Sequence, residues 1–419
     1  MRAVSGGIDF GTSNSTVGCV ENGRPRLVEL ERGEATMPSA VFFNFEDDRT
    51  YFGRSAIACY TENVEGRLLR ALKSVLGSSL IEEKTRIKAH SIAFSDIIGS
   101  FLHYLKERLD THAGEAVDNI VLGRPVHFVD DDPAADMRAQ DELEKAVRRR
   151  GFRNVEFQFE PIAAALDYEQ QVVKEELALI IDIGGGTSDF SIVRVSPERA
   201  KSATRKDDIL SSHGVHIGGT DFDRLVSIAH LMPELGYGSP TKDGRRNLPV
   251  GYYNDLATWQ RIHLLYTNKV MSDLRQIRYE AARPELVERM IEIVGNRQGH
   301  AAAAKVEQAK IALTERMESA IEVSLGREEL QVPVTRAQLD EAIGTTVERV
   351  RRAVMSTLAD AGIEPAQITA LFLTGGSSAI PLLKESVLSM FPSASVVMGD
   401  MFGSVGLGLA LDAWRKFGE

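Results

Sequence analysis

Short apolar runs broken by small, turn-forming residues open the chain, and their spacing predicts strands. Residues 8–10 read as a brief strand, Gly11-Thr12-Ser13-Asn14 as a small-residue turn, and residues 16–21 as a second strand. Asn22-Gly23 is a hairpin signal, because both residues tolerate the positive φ of a tight turn, and it leads into a strand over 25–30. Apolar positions at helical spacing predict a helix across 101–109. Residues 119–122 read as a strand ending at Gly123-Arg124-Pro125, and 141–150 as a helix with a basic last turn and Gly151 beyond it. Residues 177–183 form a continuous apolar run, that of a buried strand, with Gly184-Gly185-Gly186-Thr187 as its turn and 189–195 as the returning strand. The pattern predicts the longest helix over 300–323. It predicts a strand at 371–373 running into Thr374-Gly375-Gly376-Ser377, then a helix from about Pro381. Residues 233–255, rich in Gly, Pro, Asn and Tyr, read as a surface insertion.

One repeat organises this pattern. Residues 8–20, IDFGTSNSTVGCV, align without gaps on residues 181–193, IDIGGGTSDFSIV, with five of thirteen positions identical and an offset of 173 residues. An offset of that size is a domain, not a solenoid period. It predicts two similar lobes, each opening with strand, turn and strand, and each turn preceded by an aspartate, Asp9 or Asp182.

Composition narrows the class. The 419 residues are 43% hydrophobic and 26% charged, an ordinary globular mixture long enough for several domains. The formal net charge of −11 argues against a nucleic-acid surface. The run Arg148-Arg149-Arg150 is better read as cations facing a helix's negative end. Two cysteines, Cys19 and Cys59, give no disulfide framework, and no basic-then-apolar leader or membrane-length apolar run appears, so a cytoplasmic protein without membrane association is expected.

An aspartate at the end of a buried strand, followed by small residues, is how a backbone meets a phosphate. Glycines allow close approach, and successive N–H groups form an anion nest. One such turn is commonly a plain hairpin; two in matched register point to a shared ligand. No Walker-type sequence occurs, so the two hairpins would have to hold the phosphates by facing each other. Two carboxylates ~4 Å apart repel by ~4 kcal/mol at an effective dielectric of ~20. A hydrated Mg²⁺ would remove that conflict, with Asp9 and Asp182 acting through metal-bound water. The turn amides and the hydroxyls of Thr12, Ser13 and Thr187 would hold phosphate oxygens.

These motifs resemble the ATPase domain of the seventy-kilodalton heat-shock chaperones (the DnaK family). IDFGTSNS is similar to the first phosphate loop of that family and IDIGGGTSDFSIV to the second. EPIAAAL at 160–166, HIGGTDFD at 216–223, VEQAKIALT at 306–314, VTRAQLDEAI at 334–343 and LTGGSSAIP at 373–381 continue the match in order. Among relatives the chain looks most similar to truncated YegD-type proteins. The resemblance implies an α/β, actin-like ATPase fold: two lobes, each with a mixed five-stranded sheet and a smaller upper part, with nucleotide in the central cleft. It implies a first-lobe base from 1–37, 95–172 and 396–419, and an upper part from 38–94. The second lobe would have its base in 173–218 and 331–395 and its upper part in 219–330.

The resemblance also assigns roles. Lys73 matches the lysine near the terminal phosphate and attacking water, and Glu160 the acidic residue near the metal waters. Thr187 and Asp189 match the hydroxyl and carboxylate beside the terminal phosphate, and Pro125 the switch proline between lobes. Asp9 and Asp182 complete this catalytic set. Nucleotide contacts are implied for Gly11, Thr12, Ser13, Asn14, Gly184, Gly185, Gly186, Gly218, Gly219 and Thr220. On the adenosine side they are implied for Glu307, Lys310, Thr314, Gly375, Gly376 and Ser377, and at the positions of Ile311 and Ala379. Those last two stand where the family has its base-stacking arginines, and Phe402 where it has a ribose-side Asp. Losing each stacking cation costs ~0.5–2 kcal/mol, so weaker nucleotide affinity or looser base preference is expected.

The implied function is a slow, Mg²⁺-dependent ATPase binding ATP and ADP and working as a conformational switch. Its implied partners are co-chaperone or exchange-factor-like proteins, with no nucleic acid, no membrane and no peptide clamp, since no β-rich peptide-binding domain follows the ATPase motifs. A sugar-type small-molecule kinase, a filament-forming relative and a pseudo-ATPase scaffold are the competing readings.

Overall fold

A computed structural model describes residues 4–418 apart from 63, 78–80, 82, 89, 130–131, 170–171, 203–204, 327 and 398–402. Phe402, singled out above, lies outside the described residues. The first hairpin pairs β1 (Ser5–Phe10) with β2 (Asn14–Glu21), and β2 continues into β3 (Arg24–Leu27) through Asn22 and Gly23, whose φ angles of 51° and 78° give the expected turn. Two parallel strands, β4 (Asn119–Arg124) and β5 (Asn154–Phe159), extend the other side of β1, giving the order β5-β4-β1-β2-β3. The second sheet repeats this plan. β6 (Glu176–Ile183) pairs antiparallel with β7 (Ser188–Val195), which pairs with β8 (Ile209–Val215); β9 (Ala370–Thr374) and β10 (Ser395–Val397) run parallel on the far side.

The hairpin registers are equivalent. Ile8 faces Val17 and Asp9 faces Thr16 in the first; Ile181 faces Phe190 and Asp182 faces Asp189 in the second. Every pair is displaced by the same 173 residues as the sequence repeat. Because side chains alternate along a strand, this common register turns Asp9 and Asp182 to corresponding faces of their sheets.

Two helices cross between the sheets, Glu160–Glu169 and Ser404–Phe417. Their approach depends on missing side chains. A Cβ on Gly408 would lie 1.9 Å from the Ala163 carbonyl oxygen, and one on Gly7 of β1 would lie 2.3 Å from the Ala410 nitrogen. Ile162, Ala165, Ile180 and Leu411 form an apolar layer that joins these helices to β6.

Three expectations are corrected. The helix expected over 300–323 is Gly299–Glu315, and Val323 lies in a strand, Glu318–Leu325. There Ile321, Val323 and Leu325 are buried in alternation with exposed residues, a two-residue period that the alanine-rich run before it obscured. The longest described helix is instead Arg336–Ala361. Residues 233–255 are not merely surface: Leu235, Leu248 and Tyr253 sit in the second-lobe core, with Tyr253 fully buried. The helix expected from 141 begins at Pro133, where the Asp132 side chain accepts the N–H groups of Ala134 (3.1 Å) and Ala135 (2.9 Å).

The Gly408 approach generates a test. Gly408→Val drives a branched side chain into backbone that cannot swing away, so a loss of ~1–3 kcal/mol of stability is expected. Urea unfolding should show a lower midpoint, and an unchanged midpoint would contradict the close crossing.

Candidate functional site

The two small-residue turns touch. The Gly185 N–H donates to Ser13 Oγ across 3.1 Å, joining residues 172 apart in sequence. A Cβ at Gly185 would lie 2.2 Å from that oxygen, so this contact needs glycine. The first turn is held from behind by Ser39, whose hydroxyl donates to the Gly11 carbonyl (2.6 Å) and whose N–H donates to the Ser13 carbonyl (2.8 Å). The second is closed by a bond from Gly184 N–H to the Thr187 carbonyl (2.9 Å).

A third segment locks onto the second turn. Gly219 N–H donates to the Gly184 carbonyl (3.0 Å), while the Thr220 N–H (2.8 Å) and hydroxyl (2.9 Å) both donate to the Gly185 carbonyl. Ser377 adds a hydroxyl bond to the Gly184 carbonyl (3.3 Å). Gly375 holds φ at +76°, and a Cβ there would meet the Ile183 carbonyl at 2.4 Å and Asp182 Oδ1 at 2.6 Å. Thus residues 11–13, 184–187, 218–220 and 375–377, from four separate stretches of sequence, gather at one place. Thr12 and Gly186 are half-buried in their turns, Gly376 begins the short helical turn after β9, and Asn14 is exposed where β2 begins.

The charged groups converge beside these turns. Lys73 lies in a 3₁₀ turn, Leu72–Val75, directly after Ala71, whose φ of 56° reverses the chain and turns the lysine inward. Its Nζ is 2.5 Å from Glu160 Oε1, with Lys73 only 9% exposed. Burial alone would lower the lysine's pKa, but the carboxylates of Glu160, Asp9 and Asp182 outweigh it and hold the ammonium form. The two repeat aspartates feel the opposite. Burial first, then repulsion from Glu160 and Asp182, only partly opposed by Lys73, raise Asp9 to about 8. Asp182 rises to about 6 through burial and Glu160, against Lys73 and a hydrogen bond from Thr374. Three carboxylates around one ammonium leave a charge deficit that a divalent cation fits, and the donors are all oxygen, as magnesium prefers. Thr187 Oγ1 lies 3.4 Å from Asp189 Oδ2, at the exposed rim of the turn.

The adenosine-side residues are arranged differently. Lys310 is buried and engaged: its Nζ lies 2.8 Å from Asp223 Oδ1 and donates to the Gly219 carbonyl (3.2 Å). Thr314 donates back to the Ile311 carbonyl (2.7 Å), while the Ile311 side chain is 56% exposed and Ala379 half-buried. Glu307 lines a cavity together with Arg70, Thr220, Asp223 and Trp259. The sequence reading missed Thr374, Asp223, Arg70 and Trp259. Asp223 was findable, one helical turn after Gly219 in HIGGTDFD. Arg70 and Trp259 carry no local signal, because only tertiary structure brings them together.

Asp9 generates a test by linkage. Its carboxyl titrates higher folded than unfolded, so the unfolded chain loses this proton first, and Asp9 weakens the fold as pH rises from about 4 towards about 8. In EDTA without nucleotide, Asp9→Asn should be more stable than the parent by ~1–3 kcal/mol at pH 8 and indistinguishable from it at pH 4. Urea midpoints at both pH values check this, and a variant that is less stable at pH 8 refutes it.

Comparison with known proteins agrees with this geometry. The family model described as "Hsp70 protein" matches residues 5–241 and 292–411, most of the chain. The matched stretches contain both hairpins, Lys73, Glu160, the Gly219–Val226 helix and the Gly375 turn, and residues 242–291 stand outside them. The chain belongs to the Hsp70 family, as a chaperone-like nucleotide-binding module with the actin-like ATPase fold.

Proposed function

We propose that this chain binds ATP with Mg²⁺ in the cleft between its lobes, hydrolyses it slowly, and uses the nucleotide to set the angle between the lobes. One observation carries the reading: Asp9, Glu160 and Asp182 gather around Lys73, beside two touching turns built from glycines and hydroxyls. Phosphoryl transfer asks a protein for position and charge neutralisation more than for covalent chemistry. Mg²⁺, held through water by Asp9 and Asp182, would supply charge neutralisation for the phosphates.

The chain's own groups do the rest. Amides of the two turns, apart from those of Gly184 and Gly185, which bond Thr187 and Ser13, grip the phosphate oxygens, with Thr12, Ser13 and Thr187 adding hydroxyls. Lys73 reaches the terminal phosphate, held in aim by Glu160, and Thr187 and Asp189 bracket the attacking water. The moving upper parts are residues 38–94 and 219–330, and co-chaperone or exchange-factor-like partners would sense their position. Among the described residues no helix is long and apolar enough to cross a membrane.

A second reading, phosphoryl transfer to a small hydroxylated molecule, draws on a pocket, open to solvent, lined by Glu160, Asp182, Asp189, Ser191 and Thr374. A phosphorylated product in a metabolite screen would promote it.

Single-turnover hydrolysis of ATP by the parent and by Lys73→Ala tests the primary reading. Removing a preorganised cation beside developing charge should slow the chemical step ~10²–10³-fold. Equal rates would remove Lys73 from the mechanism.

A further inference from the structure

Away from the cleft, sulfur, nitrogen and oxygen donors meet behind the first sheet. Cys19 and Glu21 stand two residues apart on β2, so strand alternation turns both side chains to one face. His112 reaches them from the last turn of the helix Phe94–Ala113. Cys19 Sγ, a Glu21 carboxylate oxygen and an His112 ring nitrogen all lie within 4.8 Å of one another. Gly114, at φ +73°, ends the helix just beyond His112, and the imidazole therefore sits where the helix dipole favours positive charge.

The three groups are held in different ways. Cys19 is 3% exposed and belongs to the apolar core that Leu105 and Leu109 of this helix share. Its sulfur thus meets the cluster from within. The side chains of Glu21 and His112 are 38% and 32% exposed, which leaves an ion a way in from solvent. His112 Nε2 is 2.6 Å from Glu21 Oε1. Arg26 of β3 lies 3.6 Å from the other carboxylate oxygen, Oε2, and keeps Oε1 turned towards the imidazole. Such outer contacts orient a metal ligand.

Without a cation this is a poor place for a thiolate, since burial and then the Glu21 carboxylate push the Cys19 thiol up to about 11. A bound divalent ion would be the largest local charge and would deprotonate a coordinating thiol. One sulfur, one imidazole nitrogen and one carboxylate oxygen form the donor set of a four-coordinate site with a place left for solvent. That set suits a borderline-soft ion, whereas magnesium and calcium take oxygen ligands. We propose that Cys19, Glu21 and His112 bind a divalent ion of the zinc class, separately from the cleft. On binding, the Cys19 thiol gives its proton to solvent, and the Glu21–His112 hydrogen bond is replaced by one metal bond from each residue. Water is the fourth ligand, and no electron is transferred. The ion ties the end of β2 to the end of the helix.

Cobalt(II) is the probe, because thiolate ligation gives it a near-ultraviolet charge-transfer band that oxygen ligands alone do not. The chain has two cysteines, so Cys59→Ser leaves Cys19 as the sole source of that band. The full chain in this background, free of nucleotide and metal, is titrated with Co²⁺ and then with Zn²⁺. The band should grow saturably with Co²⁺, and Zn²⁺ should bleach it. Cys19→Ala should abolish it. His112→Ala and Glu21→Gln, both at the rim, should each weaken Co²⁺ binding at least ~10-fold with circular dichroism in EDTA unchanged. Co²⁺ binding without the band, as at the oxygen donors of the cleft, overturns the proposal, and so does a band that survives Cys19→Ala. Should Cys19→Ala fail to fold, the His112→Ala titration decides: an affinity equal to the parent's overturns the site.

Discussion

Asp9, Glu160 and Asp182 share one ammonium group, that of Lys73, at the floor of the cleft. Burial of like charges is costly, and such clusters gather at functional sites. The rest of the architecture serves that cluster. Two sheets of equivalent strand order each deliver an aspartate from the end of a central strand, and the helix beginning at Glu160 delivers the third carboxylate between them. The 3₁₀ turn after Ala71 then brings Lys73 onto the cluster. A single duplicated hairpin explains the position of two charges; the other two come from elements that have no counterpart in the repeat.

Close backbone approach is the second constraint, and it is met by glycine at a few defined places. Gly185 admits Ser13, Gly375 clears the Asp182 carboxylate, and Gly408 lets the crossing helices touch at Ala163. Each of these sites lies between the lobes or between a turn and a carboxylate, so the small residues that define the motifs also set how near the lobes come.

The legibility of the sequence follows the range of the forces involved. The hairpins, their turns and their register were readable because strand alternation and turn chemistry are local, and the 173-residue offset reproduced the pairing of Asp9 with Thr16 and of Asp182 with Asp189. Lys73 and Glu160 were reachable only through resemblance, since nothing near either residue shows that they meet. The helix expected to run to Val323 failed because alanine favours helix strongly, whereas the strand beyond Glu315 is fixed by burying Ile321, Val323 and Leu325 against the second-lobe core. Tyr253 was hidden for a related reason. Gly, Pro and Asn around it signal turns, and the helix that buries it, Gly251–Ala257, is too short to leave a clear periodic trace.

The short stretch from Arg70 to Lys73 ties these themes together. Arg70 ends the strand Gly66–Arg70 of a small three-stranded sheet and lies over the Trp259 ring; three residues later Lys73 is paired with Glu160. Between them Ala71 adopts a left-handed conformation that costs a non-glycine residue about 1 kcal/mol or more, a strain that persists where surrounding contacts fix it. The two cations thus stand three residues apart on one short segment, Arg70 over the Trp259 ring and Lys73 against Glu160. Any displacement of this element that loosens Lys73 from the cleft floor also shifts Arg70 from the Trp259 ring. If phosphates lie on the turns as proposed above, the contact that Lys73 makes on the cleft floor and the contact that Arg70 makes with Trp259 would change together.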